Sequence, residues 1–160
     1  MTVAVDKFLG IGEVFFGEGR QRVSTVLGSC IAVTLWHRQR HLGGMCHFML
    51  PQRSNSSPLR PDGRYANEAF IILERAIARY GTRITEYEAK LFGGGTMFPD
   101  LDDPIRVSYD NIVAARRLLR ERGIALKAEH VGGSGHRRLH FDTWTGEVWL
   151  DFCATRQRHE

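Results

Sequence analysis

No CxxC pair, no phosphate-loop signature and no apolar run of membrane-spanning length occurs in these 160 residues, and each absence removes a class of protein. Only three cysteines are present, Cys30, Cys46 and Cys153. An odd number without paired spacing argues against a disulfide framework and for a reducing compartment. Cys30, Cys46, His47 and Cys153 do not make a metal site either. Adjacent Cys46 and His47 point to opposite faces of a strand, so no metal and no cofactor is expected. The opening "MTVAVDKFLGIGEVFF" is interrupted by Asp6, Lys7 and Glu13 and does not read as a secretory leader. No segment approaches the ~18 apolar residues of a membrane span, so a cytoplasmic protein is expected. Neither GxxxxGKS/T nor a dinucleotide fingerprint occurs. The net charge of +4 is concentrated in 115–122, 136–138 and the tail. No aromatic residues alternate with it, which favours solvated faces over a nucleic-acid surface.

Hydrophobic residues at 42% and charged residues at 25% suit a globular chain, and its length suits a single domain over 1–160, with about 153–160 as a frayed tail. Strands are expected at 8–16, 22–27, 30–36, 45–50, 86–95 and 124–133, and a hairpin at 138–152. "HRQRHLGG" (37–44) reads as a polar connection and 52–64 as a long loop, of the kind that is often functional or mobile. Ala66, Phe70, Leu73, Ile77 and Tyr80 recur at helical spacing within 65–81. Ile112, Ala115 and Leu119 do so within 108–123. Strands interrupted by two helices, without an internal repeat, give a mixed α/β class.

Cys30 ends "STVLGSC" and precedes the strand "IAVTLW". A lone cysteine is ordinarily inert packing. Here Gly28 and Ser29 permit a sharp turn with little bulk over the sulfur, and a turn offers free backbone N–H groups to a developing oxyanion. Seventeen residues on, His47 lies in "GGMCHFMLP". If the two strands pair, Cys30 and His47 share a face, and an imidazolium there would lower the thiol's pKa. A base also needs an orienting group. Ser24 and Thr25 both carry hydroxyls, but strand alternation lets only one of them face His47. The glycines of "FGGGTMF", Gly93, Gly94 and Gly95, with Thr96, read either as a plain turn or as a cleft wall admitting an extended peptide.

"GIGE", "LGSCIAVTLW", "GGMCHFMLP", "RYANEAF", "AKLFGGGTMF" and "GGSGHRRLHFDTWTGEV", in this order and spacing, resemble the CheD family, the chemoreceptor glutamine deamidases of bacterial chemotaxis. The resemblance covers nearly the whole chain. It implies hydrolysis of receptor glutamine side chains to glutamate with release of ammonia, and hydrolysis of receptor glutamyl methyl esters. The implied fold is a layered α/β sandwich of mixed β-sheet with flanking helices, similar to the catalytic domain of deamidating toxins. The implied nucleophile is Cys30 and the implied base His47. The third family residue is a threonine six positions before the cysteine; that spacing selects Ser24 here, with Thr25 beside it as the alternative. Expected partners are the cytoplasmic helical regions of methyl-accepting chemotaxis receptors and a CheC-type phosphatase. Two other readings stand beside this one: a binding regulator of such a phosphatase, and a cysteine amidase or peptidase with another substrate.

Overall fold

The apolar alternation of the first half forms five strands: β1 Val5–Phe8, β2 Val14–Glu18, β3 Gln21–Leu27, β4 Ile31–His37 and β5 Leu42–Phe48. Helix α1 (Ala66–Arg79), strand β6 (Glu88–Gly93), helix α2 (Asp102–Glu121) and strands β7 (Ala125–Val131), β8 (Gly135–Asp142) and β9 (Val148–Ala154) follow. The computed structural model describes residues 5–55, 59–97 and 102–155.

Four boundaries depart from sequence expectation, each for a physical reason. The expected strand 8–16 is two strands in different sheets. Between them Glu13 N donates to Gly10 O (3.1 Å), and Gly12 takes φ +83°, a turn that a glycine permits. The polar connection 37–44 ends early, because Gly43 and Gly44 are already strand residues. A Cβ on Gly43 would lie 3.0 Å from Thr143 Cγ2, and one on Gly44 would lie 2.7 Å from Phe16, so these glycines let both neighbouring layers close on β5. Helix α2 starts six residues ahead of Ser108, with Pro104 in its first turn, where no backbone N–H is needed. The last strand runs through Ala154, so Cys153 belongs to β9 rather than to a frayed tail; residues 156–160 lie outside the described residues.

The strands make two mixed sheets, ordered β1-β3-β8-β9 and β2-β5-β4-β6-β7. Pairs β1–β3 and β6–β7 are parallel and the others antiparallel. Alternation along β4 assigns its residues to two cores. Ile31, Val33 and Leu35 pack with Phe70, Leu73 and Ile77 of α1 and Ala115 and Leu119 of α2. Ala32 and Trp36 pack with Val23, Leu27, Leu139 and Phe141 of the four-stranded sheet. The layers are therefore helices, five-stranded sheet, four-stranded sheet, a layered α/β sandwich as expected.

The expected apolar stripe of α1 is buried at Ala66, Phe70, Leu73 and Ile77. Glu68 is buried as well. Its carboxylate accepts from Arg53 Nε (3.0 Å) and Nη2 (2.8 Å) and from Asp62 N (3.1 Å), which ties the described parts of the 52–64 loop to α1. No helix among the described residues is long and apolar enough to cross a membrane.

Candidate active site

Register brings the thiol and the imidazole to one face. In the β4–β5 pair Ala32 stands opposite His47, and Ile31 opposite Phe48. Cys30 lies two residues ahead of Ala32 and shares its side, so Cys30 and His47 are diagonal neighbours at the mouth of the space between the sheets. Cys30 is half-buried and packs on the inter-sheet core. His47 is buried. Cys46 is buried on the helix side and Cys153 is exposed, so neither reaches this face.

Thr25 orients the ring. Its hydroxyl donates to Leu9 O (2.6 Å) and lies 2.8 Å from His47 Nδ1. A hydroxyl has one proton. With that proton on Leu9 O, the oxygen accepts from Nδ1–H, and the neutral ring keeps a bare lone pair on Nε2. Nε2 is buried and has no partner among the described residues. Gly12 N donates to His47 O (2.7 Å), which pins the same turn that presents Leu9 O.

Ser24 does not hold His47, and the six-residue spacing that favoured it fails here. Ser24 pairs with His140 in the β3–β8 ladder, and its Oγ lies 2.7 Å from His140 Nδ1 on the outer face of the four-stranded sheet. A signal for this was present in the sequence. Val23 and Leu27 flank Thr25 at two-residue steps and are both fully buried, so Thr25 shares the apolar face and Ser24 shares the other with Arg22 and Val26.

Burial disfavours the charged form of both groups. It pushes the Cys30 thiol up from its ordinary value. It also lowers His47, an effect partly offset by the Leu9 carbonyl and the negative charge of Glu13. Both shifts run against the expected thiolate–imidazolium couple. Cys46, fully enclosed, is pushed up to about 12 and stays a thiol.

These shifts fix the sign of a pH dependence. The unfolded chain binds a proton at His47 near pH ~6.5, whereas the folded chain resists it. Stability linked to His47 is therefore present above that pH and is lost as pH falls. Urea unfolding of wild type and His47→Gln should show the wild type losing more stability between neutral and mildly acidic pH. Equal slopes would remove His47 from the account.

The turn that carries Cys30 is held from behind. Gly94 N donates to Cys30 O (2.9 Å) and Gly95 N to Gly28 O (3.0 Å). Gly93 has φ +111°, and a Cβ there would collide with the Cys30 carbonyl oxygen. Meanwhile the N–H groups of Gly28, Ser29 and Cys30 donate to no backbone carbonyl among the described residues. Gly93, Gly94 and Gly95 thus reach the site as a buried clamp. Thr96 is half-buried, with its N–H on Gly133 O (2.8 Å). A change such as Gly94→Val would place a Cβ at φ +66° and 2.5 Å from Ile112 Cγ1. It should cost about 2 kcal/mol of stability along with activity, measured by thermal unfolding beside turnover. Activity lost at an unchanged melting temperature would favour the cleft-wall reading.

Sequence reasoning missed two supports. The α2 face at 108, 111 and 112 lies over the turn: Ser108 Oγ donates to Gly95 O (2.9 Å), Asn111 is fully buried, and Ile112 lies over Gly94. Two polar residues on an apolar stripe were the available signal. Arg137 is buried behind the glycines, its Nε on His130 Nδ1 (2.9 Å) and its Nη2 on Gly132 O (2.7 Å). On the His47 side, Met49 N donates to Arg64 O (2.9 Å), so the end of the 52–64 loop borders the site.

A half-buried thiol at a clamped turn, on the same face as an imidazole bonded to a threonine hydroxyl, is the kind of arrangement that acyl transfer uses. Comparison with known proteins places the chain more narrowly. A family model described as CheD chemotactic sensory transduction matches residues 49–152. A protein of Dechloromonas aromatica named probable chemoreceptor glutamine deamidase CheD 3 is 49% identical, over 91% of this chain and 86% of its own. One of Pseudomonas savastanoi, named probable chemoreceptor glutamine deamidase CheD, is also 49% identical, over 89% and 81%. A Leptospira interrogans relative named probable chemoreceptor glutamine deamidase CheD 1 is 31% identical over 92% of each chain. This chain belongs to the CheD family.

Proposed function

We propose that this protein is a cytoplasmic, cofactor-free amidohydrolase of one domain. It converts glutamine side chains of chemotaxis receptors to glutamate, with Cys30 as nucleophile, His47 as base and Thr25 as the group that orients it. The observation that carries this reading is the Thr25–His47 bond, which leaves Nε2 bare on the face that holds Cys30. The names of the relatives supply the substrate.

The steps follow from the groups. Cys30 Sγ attacks the carboxamide carbon as its proton passes to Nε2. The carbonyl oxygen becomes an oxyanion that the free N–H groups of 28–30 receive. Nε2–H then protonates the nitrogen, the C–N bond breaks, ammonia leaves, and a thioester remains. Water attacks the thioester as Nε2 takes its proton; the C–S bond breaks, giving glutamate and restoring the thiol. A glutamyl methyl ester enters the same thioester with methanol as leaving group. Exposed Ile11 and Met49 flank the mouth, next to the turn that holds His47 O and opposite Cys30, and offer apolar contact to a receptor helix. A CheC-type phosphatase is proposed as a second partner, as the resemblance implies.

Incubation with a receptor cytoplasmic fragment, read by intact mass, tests the reading. The expected result is the mass gain of an NH2-to-OH exchange at discrete glutamines. Chain cleavage would replace this proposal with a peptidase, and no change in mass would leave a binding regulator.

A further inference from the structure

We infer that Asn111 is the positioning residue that sets the approach of Cys30 to His47; the inference rests on the proposed use of those two side chains. Asn111 lies on α2 and has no solvent exposure. Its Nδ2 donates to Ser29 O (3.3 Å) and to Met49 O (2.9 Å). These carbonyls lie one residue before Cys30 and two residues after His47. One amide group thus bridges the turn that carries the nucleophile and the end of the strand that carries the base.

The bridge stands where the sheet does not reach. The β4–β5 ladder ends at Ile31↔Phe48, so Cys30 and Met49 lie beyond the last ladder pair. Each chain end is tied to other elements, Cys30 O to Gly94 N (2.9 Å) and Met49 N to Arg64 O (2.9 Å), but no ladder pair ties the two ends to each other. The orientation of the amide is also decided: turned over, Oδ1 would face two carbonyl oxygens, which no donor would relieve. Oδ1 is left buried without a partner among the described residues. A buried polar atom left unpaired costs stability, and here it accompanies a bond pair that only an amide of this length makes. Ser108 Oγ on Gly95 O (2.9 Å) braces, one helical step away, the glycine run whose Gly95 N holds Gly28 O, while the Asn111 amide joins the 28–30 turn to the end of the His47 strand.

A catalytic pair tolerates little displacement; a shift of about 1 Å costs on the order of 10²-fold in rate. Asn111→Leu keeps the volume and removes the donor. It should lower kcat on a receptor fragment by about 10²-fold at unchanged KM, while folded protein persists by circular dichroism. Asn111→Asp adds a sign. Its ionised carboxylate repels both carbonyls, and its protonated form donates to one, so its turnover should recover as pH falls, an ionisation that wild type and Asn111→Leu do not show.

A second readout is independent of deamidation: the rate of Cys30 carboxamidomethylation by iodoacetamide, measured across pH. His47→Ala should change that profile in the wild-type background and leave it unchanged in the Asn111→Leu background, because the pair is already uncoupled. Equal effects of His47→Ala in both backgrounds, or full kcat in folded Asn111→Leu, would overturn the positioning role. If neither Asn111 variant folds, Asn111→Ser, whose hydroxyl reaches at most one carbonyl, takes the same cycle with the same two outcomes. A labelling coupling present without any deamidation would refute the assigned substrate and keep the inference.

Discussion

Cys30→Ala is expected to lower deamidation of a receptor fragment by about 10⁴-fold or more, as loss of a nucleophile does in enzymes that work through an acyl intermediate. The fold should survive, because Cys30 sits half-buried at a turn and its position is set by backbone bonds from Gly94 and Gly95. Cys46→Ala should keep turnover and lose stability, since Cys46 is fully buried in the helix-side core. Cys153→Ala should change neither. His47→Ala should match Cys30→Ala within about tenfold, because effects within one catalytic unit are not additive, and the double variant should be little worse than either. Turnover is measured by intact mass at matched folded concentration. Wild-type turnover in Cys30→Ala would end the mechanism.

Thr25→Val should cost about 10²-fold in turnover and about 1–3 kcal/mol in stability. Valine keeps the shape. It leaves two buried groups, Leu9 O and His47 Nδ1–H, without their shared partner, and the imidazole can then turn or place its proton on Nε2. Thr25→Ser restores the hydroxyl and should recover most of both. Ser24→Ala should stay within a few-fold of wild type, since Ser24 bonds His140 on the far face of its sheet. Measuring Ser24→Ala and Thr25→Val side by side on one receptor fragment is decisive. An inactive Ser24→Ala with an active Thr25→Val would mean that the β3 register differs from the one described.

The local pattern carried much of this protein. The α1 stripe of Ala66, Phe70, Leu73 and Ile77 is visible because a helix with one buried face must repeat its apolar residues. The GSC turn ahead of a strand is visible because glycine and small residues mark sharp turns. The pairing of 30–36 with a strand holding His47 was legible for the same kind of reason, since adjacent apolar strands commonly pair. The order of the family motifs pointed to the class of reaction.

What needed the folded chain was everything set by contacts across long sequence separations. Thr25 meets Leu9 O because β1 pairs with β3 and hands the chain into the turn before β2. Asn111 meets Ser29 and Met49 because α2 packs on the far side of the five-stranded sheet. Glu68 is buried because Arg53 and the Asp62 N–H return from the loop to meet it. The shifts of Cys30 and His47 toward their neutral forms also came from packing: His47 is buried and Cys30 half-buried against the space between the two sheets, and loss of water disfavours charge on either. Residue identity and spacing name the groups able to react. Strand register and layer packing choose which hydroxyl, which helix amide and which charge state they work with, because hydrogen bonds and desolvation act over a few ångströms in space and not along the chain.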